Sequence, residues 1–151
     1  MLKLSKKTDY AIILLAHLGE TDSPVSAHEV ATTYKLPYPM VANILKQLVS
    51  SGLIVSTRGQ LGGYVLGKSA EDINLSDIIK VTDGAFELVE CVHDEELCKV
   101  HQCCPTRRPL IALHQKIQQF IQETTLAAII RDAQLDNIIL KESSYETANL
   151  S

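Results

Sequence analysis

All four cysteines of the chain lie within fourteen residues, and the other 137 of its 151 residues contain none. They are Cys91, Cys98, Cys103 and Cys104, in the pattern C-x6-C-x4-C-C-P. So dense a set of soft ligands constrains the surrounding fold, because the segment must bind a metal, form cross-links or remain reactive.

The expected compartment narrows these choices. Three lysines precede an apolar run at residues 11–18, but the run is only eight residues long, contains His17 and is followed by no cleavage site. No segment approaches the roughly 18 apolar residues of a membrane span. We therefore expect a cytoplasmic protein with no membrane association. Thiols stay reduced there, so metal binding or redox chemistry is favoured over a structural disulfide.

Charge divides unevenly along the chain. Residues 1–70 carry seven Lys/Arg against four Asp/Glu, a net charge of +3, whereas residues 71–151 carry seven against fourteen, a net charge of −7. A basic N-terminal part and an acidic remainder suit a protein whose N-terminal part binds nucleic acid. The 46% hydrophobic content argues against global disorder.

Local signals predict three helices in the first fifty residues. Ser5 is placed to cap a helix over 6–18 that stops at Gly19, and Ser26 with Glu29 forms a capping box for a helix over 27–34. A third helix is predicted from Pro39 to residue 50, ended by Gly52. Two short helices joined by a tight turn indicate a helix-turn-helix, although an ordinary helical hairpin would show the same pattern.

A predicted hairpin directly after these helices favours the DNA-binding alternative. Residues 53–57 and 64–66 read as strands around the glycine-rich turn 58–63. Such a wing would carry Arg58, Gly59 and Gln60 to DNA, with the guanidinium suited to a narrow minor groove. The glycines also fit turn chemistry alone, but no Lys-Ser/Thr follows, so a nucleotide-binding P-loop is disfavoured.

The C-terminal half is predicted to be helical. Asn74 caps a helix over 75–82, Thr106 begins a long helix to residue 123, and a short helix covers 125–130. The long helix has one apolar stripe, made of Leu110, Leu113, Ile117, Phe120 and Ile121. Such a stripe needs a partner surface, either the same helix of a second copy or the chain's own domain.

These elements predict a mostly α fold with a small β-hairpin wing, that is, a winged helix-turn-helix plus a long dimerisation helix. The expected units are a DNA-binding domain over 1–84, a cysteine loop over 85–105, the dimerisation and C-terminal helices over 106–132, and a polar tail over 133–151.

The cysteine spacing favours an iron–sulfur cluster. Cys91 and Cys98 are too far apart for a zinc knuckle, and a Cys-Pro pair such as Cys104-Pro105 recurs at cluster ligands. A structural zinc ion and a thiol redox switch remain as alternatives. No paired carboxylates or nucleophile elbow support an enzyme.

Three stretches, LSKKTDYAIILLAHL, RGQLGGYVLGK and INLSDIIKVTDG, together with the cysteines, resemble the Rrf-two-type transcription regulators over about residues 1–131. The likeness is to the iron–sulfur-sensing branch that includes IscR- and NsrR-type proteins, above all those that regulate SUF operons. It implies a homodimer that reads a palindromic operator in double-stranded DNA, with one cluster per subunit, and a repressor of iron–sulfur cluster assembly genes.

Carried over residue by residue, the resemblance assigns three cluster ligands to Cys91, Cys98 and Cys104. One branch of the family uses a histidine three residues beyond the last cysteine, but that position is Arg107 here. Another uses an N-terminal aspartate of the partner subunit, which matches Asp9. Cys103 and His101 are local candidates for the fourth ligand. Asp9 and Cys103 are favoured, and the cluster is expected to be [2Fe–2S] or [4Fe–4S].

The reading helix also departs from the family. A base-contacting glutamate of some relatives is replaced by Ala42 here. Base contacts are therefore expected from Tyr38 and Asn43, with Lys46 on phosphate, whereas Met40 and Val41 are expected in the core.

Overall fold

A computed structural model describes residues 3–89, 100 and 103–136. Within these residues the chain forms six helices and one two-stranded antiparallel sheet, and no helix there is long and apolar enough to cross a membrane. The elements are α1 Lys6–Glu20, α2 Ala27–Thr33, α3 Tyr38–Ser50, β1 Ile54–Thr57, β2 Gly63–Leu66, α4 Leu75–Thr82, α5 Arg107–Glu123 and α6, residues 126–136. The predicted mostly α winged fold is confirmed.

The core lies between the first three helices, the base of the hairpin and α4. One face of α1 is buried through Ala11, Leu14, Leu15 and Leu18. The face of α3 predicted from periodicity is buried as well, through Val41, Ile44, Leu45 and Leu48. Because both helices bury residues at three- and four-residue spacing, each leaves its opposite face to solvent.

Helix boundaries follow local capping signals with few exceptions. Ser5 accepts a hydrogen bond from the Thr8 N–H, and α4 has a full capping box between Asn74 and Asp77. Gly19 does not stop α1 as predicted, because the helix continues to Glu20. A Cβ at Gly19 would lie 2.7 Å from the end of the Ile130 side chain, which would have to shift to accommodate it.

The end of α5 is fixed to the winged unit by main-chain pairing, which we call the C-terminal clamp (residues 124–127 against 70–75). The N–H of Leu75 donates to Thr124 O at 2.8 Å, that of Leu126 to Ile73 O at 2.8 Å, and that of Ala127 to Ala70 O at 3.0 Å. Leu126 is fully buried at the centre. The last helix therefore belongs physically to the winged-helix core.

Truncating the clamp's buried side chain should destabilise the whole protein. We expect Leu126→Ala to lower the free energy of unfolding by about 2–5 kcal/mol, because it leaves a cavity among packed apolar groups. Leu135→Ala removes an exposed leucine of the same helix and should change stability by less than about 0.5 kcal/mol. Urea titrations at one protein concentration compare the two variants, and equal midpoints would contradict the clamp.

Candidate nucleic-acid interface and cysteine site

The second and third helices form the predicted helix-turn-helix. Ser26 accepts a hydrogen bond from the Glu29 N–H at 3.1 Å and starts α2. The turn contains Lys35 with φ +52°, and the Leu36 N–H donates to Ala31 O at 2.8 Å. This tight connection sets α3 beside α2 with the N-terminal half of α3 open to solvent.

The predicted base-reading residues share that open face. Tyr38, Asn43 and Lys46 are all exposed, and helical geometry spreads them over an arc of about 140°. The Asn43 carboxamide oxygen accepts a hydrogen bond from Gln47 Nε2 at 3.4 Å. Met40, expected in the core, is 37% exposed on the surface of α3, so that prediction is wrong, whereas Val41 is fully buried as expected. Met40 is the third residue of α3, in its first turn.

The predicted hairpin is present, but β2 begins at Gly63, which was predicted in the turn. Ile54 pairs with Leu66 and Thr57 with Gly63, and the turn carries Gly59 at φ +116°. The Gly62 N–H donates to Gly59 O at 3.0 Å and closes the turn. Arg58, Gly59 and Gln60 are exposed in this turn.

A second pairing anchors the wing to the rest of the molecule. Val25 and Tyr64 exchange main-chain hydrogen bonds of 3.0 and 2.8 Å, so β2 is held on both edges. A Cβ at Gly63 would lie 2.6 Å from Val25 O, which makes glycine necessary there. The angle between the wing and α3 is therefore set by the core.

The cysteine site is described only in part. Cys91 and Cys98, two of the predicted ligands, lie outside the described residues. Cys103 is exposed, with its Sγ 3.6 Å from Val100 O, and Cys104 is partly buried immediately before α5. Cys104 Sγ lies 3.4 Å from the Thr106 hydroxyl. Thr106 occupies the N-cap position of α5 as predicted, but its side chain makes no capping hydrogen bond.

The surroundings of Cys104 favour its thiolate. The Thr106 hydroxyl and then the Thr106 backbone N–H lower the pKa of the Cys104 thiol below its ordinary value, helped by the Arg107 N–H and charge. A thiolate ahead of a helix N-terminus is both a metal ligand and a nucleophile. The described cysteines thus fit the donor set of an iron–sulfur cluster, which is bound by thiolates.

Asp9, the other predicted ligand, is exposed in the first turn of α1. Among the described residues no three His, Cys, Asp or Glu side chains form a metal-binding group, so the single chain does not bring Asp9 together with Cys103 and Cys104. The assignment of Asp9 as a ligand contributed by the partner subunit stays a prediction.

A hydroxyl–carboxylate cluster (Ser5, Thr8, Thr82 and Asp83) joins the start of α1 to the end of α4. Asp83 accepts hydrogen bonds from Ser5 at 2.7 Å and Thr8 at 2.6 Å, and Lys7 Nζ donates to Thr82 O at 2.8 Å. Although burial opposes it, these hydroxyl donors hold the pKa of Asp83 below its ordinary value. The cluster fixes Asp9 and the exit toward the cysteine segment to one another.

His114 is a residue of the site that sequence reasoning missed. It is 2% exposed on α5, its Nδ1 accepts from the Leu88 N–H at 3.3 Å, and its ring stacks on Phe86 with centroids 5.6 Å apart. These contacts hold the segment entering the cysteines against α5. The signal was its position four residues after Leu110 and three before Ile117, on the apolar stripe.

Comparison with known proteins identifies the family to which the chain is similar. A family model described as Rrf2, iron-dependent transcriptional regulator, matches residues 4–132. The regulator NsrR of Halalkalibacterium halodurans is 31% identical over 124 residues, covering 80% of this chain and 83% of that protein. CymR of Bacillus subtilis is 31% identical over 128 residues, covering 83% and 87%.

Solved structures agree with the fold. That of B. subtilis CymR, titled a global cysteine regulator, has a TM-score of 0.70 at 27% identity and covers 87% of this chain and 98% of that one. That of T. potens IscR has a TM-score of 0.69 at 27% identity, with coverage of 87% and 88%. These proteins are transcription regulators and not enzymes.

Because its pKa is lowered, the Cys104 thiol should react at a lower pH than an ordinary cysteine. In metal-free protein carrying Cys103→Ser, alkylation of Cys104 by iodoacetamide should reach half its maximal rate at a pH below that of an ordinary cysteine, about 8.5. Thr106→Ala should move this midpoint upward, because the thiolate loses its main hydrogen-bond donor. Peptide mass spectrometry follows the reaction, with Thr33→Ala, a distant surface threonine, as the matched control. A midpoint that Thr106→Ala leaves in place would contradict the assignment.

Proposed function

The chain belongs to the Rrf2 family of transcriptional regulators, and from this premise we propose that it is a cytoplasmic iron–sulfur-sensing repressor of iron–sulfur cluster assembly genes. The observation that carries the sensing part is the concentration of the cysteines, of which Cys103 and Cys104 lie side by side just before α5. Four cysteines in fourteen residues support a polynuclear centre over a single reactive thiol.

At the DNA end, α3 enters the major groove and the wing meets the neighbouring minor groove. Tyr38 and Asn43 contact base edges, and Lys46 contacts phosphate. Arg58 enters the minor groove, where Gly59 permits close approach and Gln60 supplies a polar contact. Ala42 offers only a methyl group, so operator preference differs from that of relatives with a glutamate there.

At the other end, Cys91, Cys98 and Cys104 would hold the cluster, with Asp9 of the partner subunit or Cys103 as the fourth ligand. A bound cluster supplies a centre that responds to oxidation and to iron supply. The chain's own residues supply the ligands: Thr106 keeps the Cys104 thiolate hydrogen-bonded, and His114 keeps residues 86–88 on α5.

Coupling between the ends follows from how α5 is fixed. Its C-terminal end is clamped to the winged unit. Its N-terminal end begins three residues after Cys104, and its N-cap Thr106 directly follows Pro105. A change in the cysteine segment therefore acts on α5 and, through residues 84–89, on the end of α4. Coupling free energies of this kind are typically about 1–3 kcal/mol, or 5–150-fold in affinity.

A homodimer completes the proposal. Leu113 is 46% and Phe120 67% exposed on α5, and Leu110 and Ile117 are partly exposed on the same stripe. A two-fold axis would bury this stripe against its own copy and would present two reading helices to a palindromic operator.

One observation favours a second function without a cluster. A low-pKa, partly exposed thiol such as Cys104 is also what a thiol redox switch requires. In that case the protein would be a winged-helix regulator that responds to oxidants directly. A zinc-stabilised regulator is the remaining alternative.

Metal analysis of anaerobically purified protein separates these functions. We expect iron and acid-labile sulfide with visible absorption, lost in Cys104→Ala because a thiolate ligand is removed. Holo and metal-free protein should differ 5–150-fold in affinity for an operator. One zinc per chain in a colourless protein would contradict cluster sensing, and equal affinities would contradict the coupling. Cys103→Ala serves as the comparison, because cluster loss there identifies the fourth ligand.

A charged substitution on the apolar stripe of α5 tests whether this helix forms the dimer interface. Phe120→Glu should shift the protein toward monomer in sedimentation experiments, because a charge cannot be buried in an apolar interface without a partner. Gln115→Glu adds the same charge on an exposed position off the stripe and should leave the dimer intact. A Phe120→Glu protein that sediments like the wild type would show that α5 is not the interface.

A further inference from the structure

We propose that Leu61, at the tip of the wing, inserts an apolar side chain into the minor groove and makes binding depend on how easily the flanking DNA deforms. The inference rests on the proposed DNA-binding function and adds a specificity residue to it.

Leu61 is the most exposed of the large apolar side chains among the described residues. Its relative exposure is 90%, compared with 67% for Phe120 and 53% for Leu135. The next exposed apolar residue of the hairpin, Val55 at 45%, lies nearer the base, paired with Val65. The tip therefore carries a single leucine that packs on nothing within the described part of the chain.

The turn holds this leucine outward. Gly62 closes the turn through its hydrogen bond to Gly59 O, and Thr57 hydrogen-bonds with both the N–H and the carbonyl of Gly63, at 3.2 and 3.3 Å. A side chain at Gly62 would meet the Thr57 carbonyl oxygen, so the backbone next to Leu61 is tightly packed. Since β2 is also paired with Val25, Leu61 projects from a hairpin that is ordered before DNA arrives.

The residues beside Leu61 favour DNA as its target over a protein surface. Arg58, Gly59 and Gln60 are exposed at the same tip, so the leucine is not part of an extended apolar patch of the kind that binds proteins. Arginine and glutamine read the minor groove, and leucine is one of the residues that wedge between base steps there. The deoxyribose walls of the groove offer the apolar surface that the tip lacks.

Insertion of an apolar side chain makes affinity depend on how easily the DNA at that step deforms. Pyrimidine–purine steps unstack and widen most readily, so they accept an apolar side chain at lower cost than purine–purine steps. In a two-fold dimer, each wing would contact one flank of the operator, outside the half-site read by α3. The preference for a pyrimidine–purine step would therefore appear on both flanks. The operator should therefore contain a TA or CA step at one fixed distance on each side.

Selection from random duplexes with the full-length protein supplies the operator and a first test. Wild-type protein should enrich a palindrome with pyrimidine–purine steps at both outer flanks. Leu61→Ala should keep the palindrome and lose the flank preference. Selection of no sequence by wild-type protein would overturn the proposed function itself, whereas an unchanged flank preference in Leu61→Ala would overturn only the role of Leu61.

Affinity measurements on two duplexes give the quantitative test. Leu61→Ala should lose about tenfold on the selected operator and little on a duplex whose flanks are purine–purine, since the apolar contact exists only where the step opens. Leu61→Met should stay within about threefold of wild type on both duplexes, because it keeps the apolar volume. Equal losses on the two duplexes would overturn the proposal.

The dependence of binding on salt separates Leu61 from its neighbour. Leu61→Ala should leave the slope of log affinity against log salt unchanged, because leucine releases no counterions. Arg58→Ala, the matched wing variant, should weaken binding and reduce the slope by about 0.9 if the guanidinium neutralises one phosphate. A reduced slope in Leu61→Ala would show that the substitution displaces the whole wing, which would overturn the wedge.

Discussion

The C-terminal clamp is the constraint on which the arrangement of the two functional ends depends. Three main-chain hydrogen bonds and the buried Leu126 fix the end of α5 to residues 70–75, so the helix leaves the winged unit in a determined direction. A helix of 17 residues is about 26 Å long, and Cys103 and Cys104 lie just before its other end. Together with the packing of α5 on α4 and the contact between His114 and Leu88, the clamp fixes the position of Cys104 relative to the winged unit.

Two further sets of contacts connect α5 and α4 to the rest of the winged unit. His114 ties residues 86–88 to α5, and the hydroxyl–carboxylate cluster ties the exit of α4 to the start of α1. The path from Cys104 to α3 thus runs through packed elements, since α1 buries Leu14 and Leu15 in the same core as Ile44 and Leu45 of α3. Coupling requires an element with two arrangements, and the segment between α4 and α5 is where such a change would enter.

Sequence reasoning succeeded where the signal was local. Helix α4 has its predicted bounds because Asn74, Asp77 and Gly84 act within a few residues of its ends, and the exposed faces of α3 and the wing follow from periodicity and turn chemistry. It failed where a distant partner decided the outcome. Gly19 reads as a helix stop until Ile130 is seen against it, and nothing near Leu126 announces its pairing with Ile73. Cys104 and the predicted DNA-contacting residues lie on exposed or partly exposed positions, and their roles stay predictions, whereas His114, a buried polar residue on the apolar stripe of α5, was missed.

The fold by itself does not decide what the protein senses. Structures named CymR and IscR match this chain about equally well, with TM-scores of 0.70 and 0.69, so the same scaffold is shared by regulators of different names. What separates the inputs is the chemistry ahead of α5. A single low-pKa thiol there suffices for reaction with an oxidant, but it does not require three more cysteines within fourteen residues. Four cysteines within fourteen residues are what a thiolate-bound polynuclear centre requires, and on this ground we propose cluster sensing rather than a switch built on one thiol.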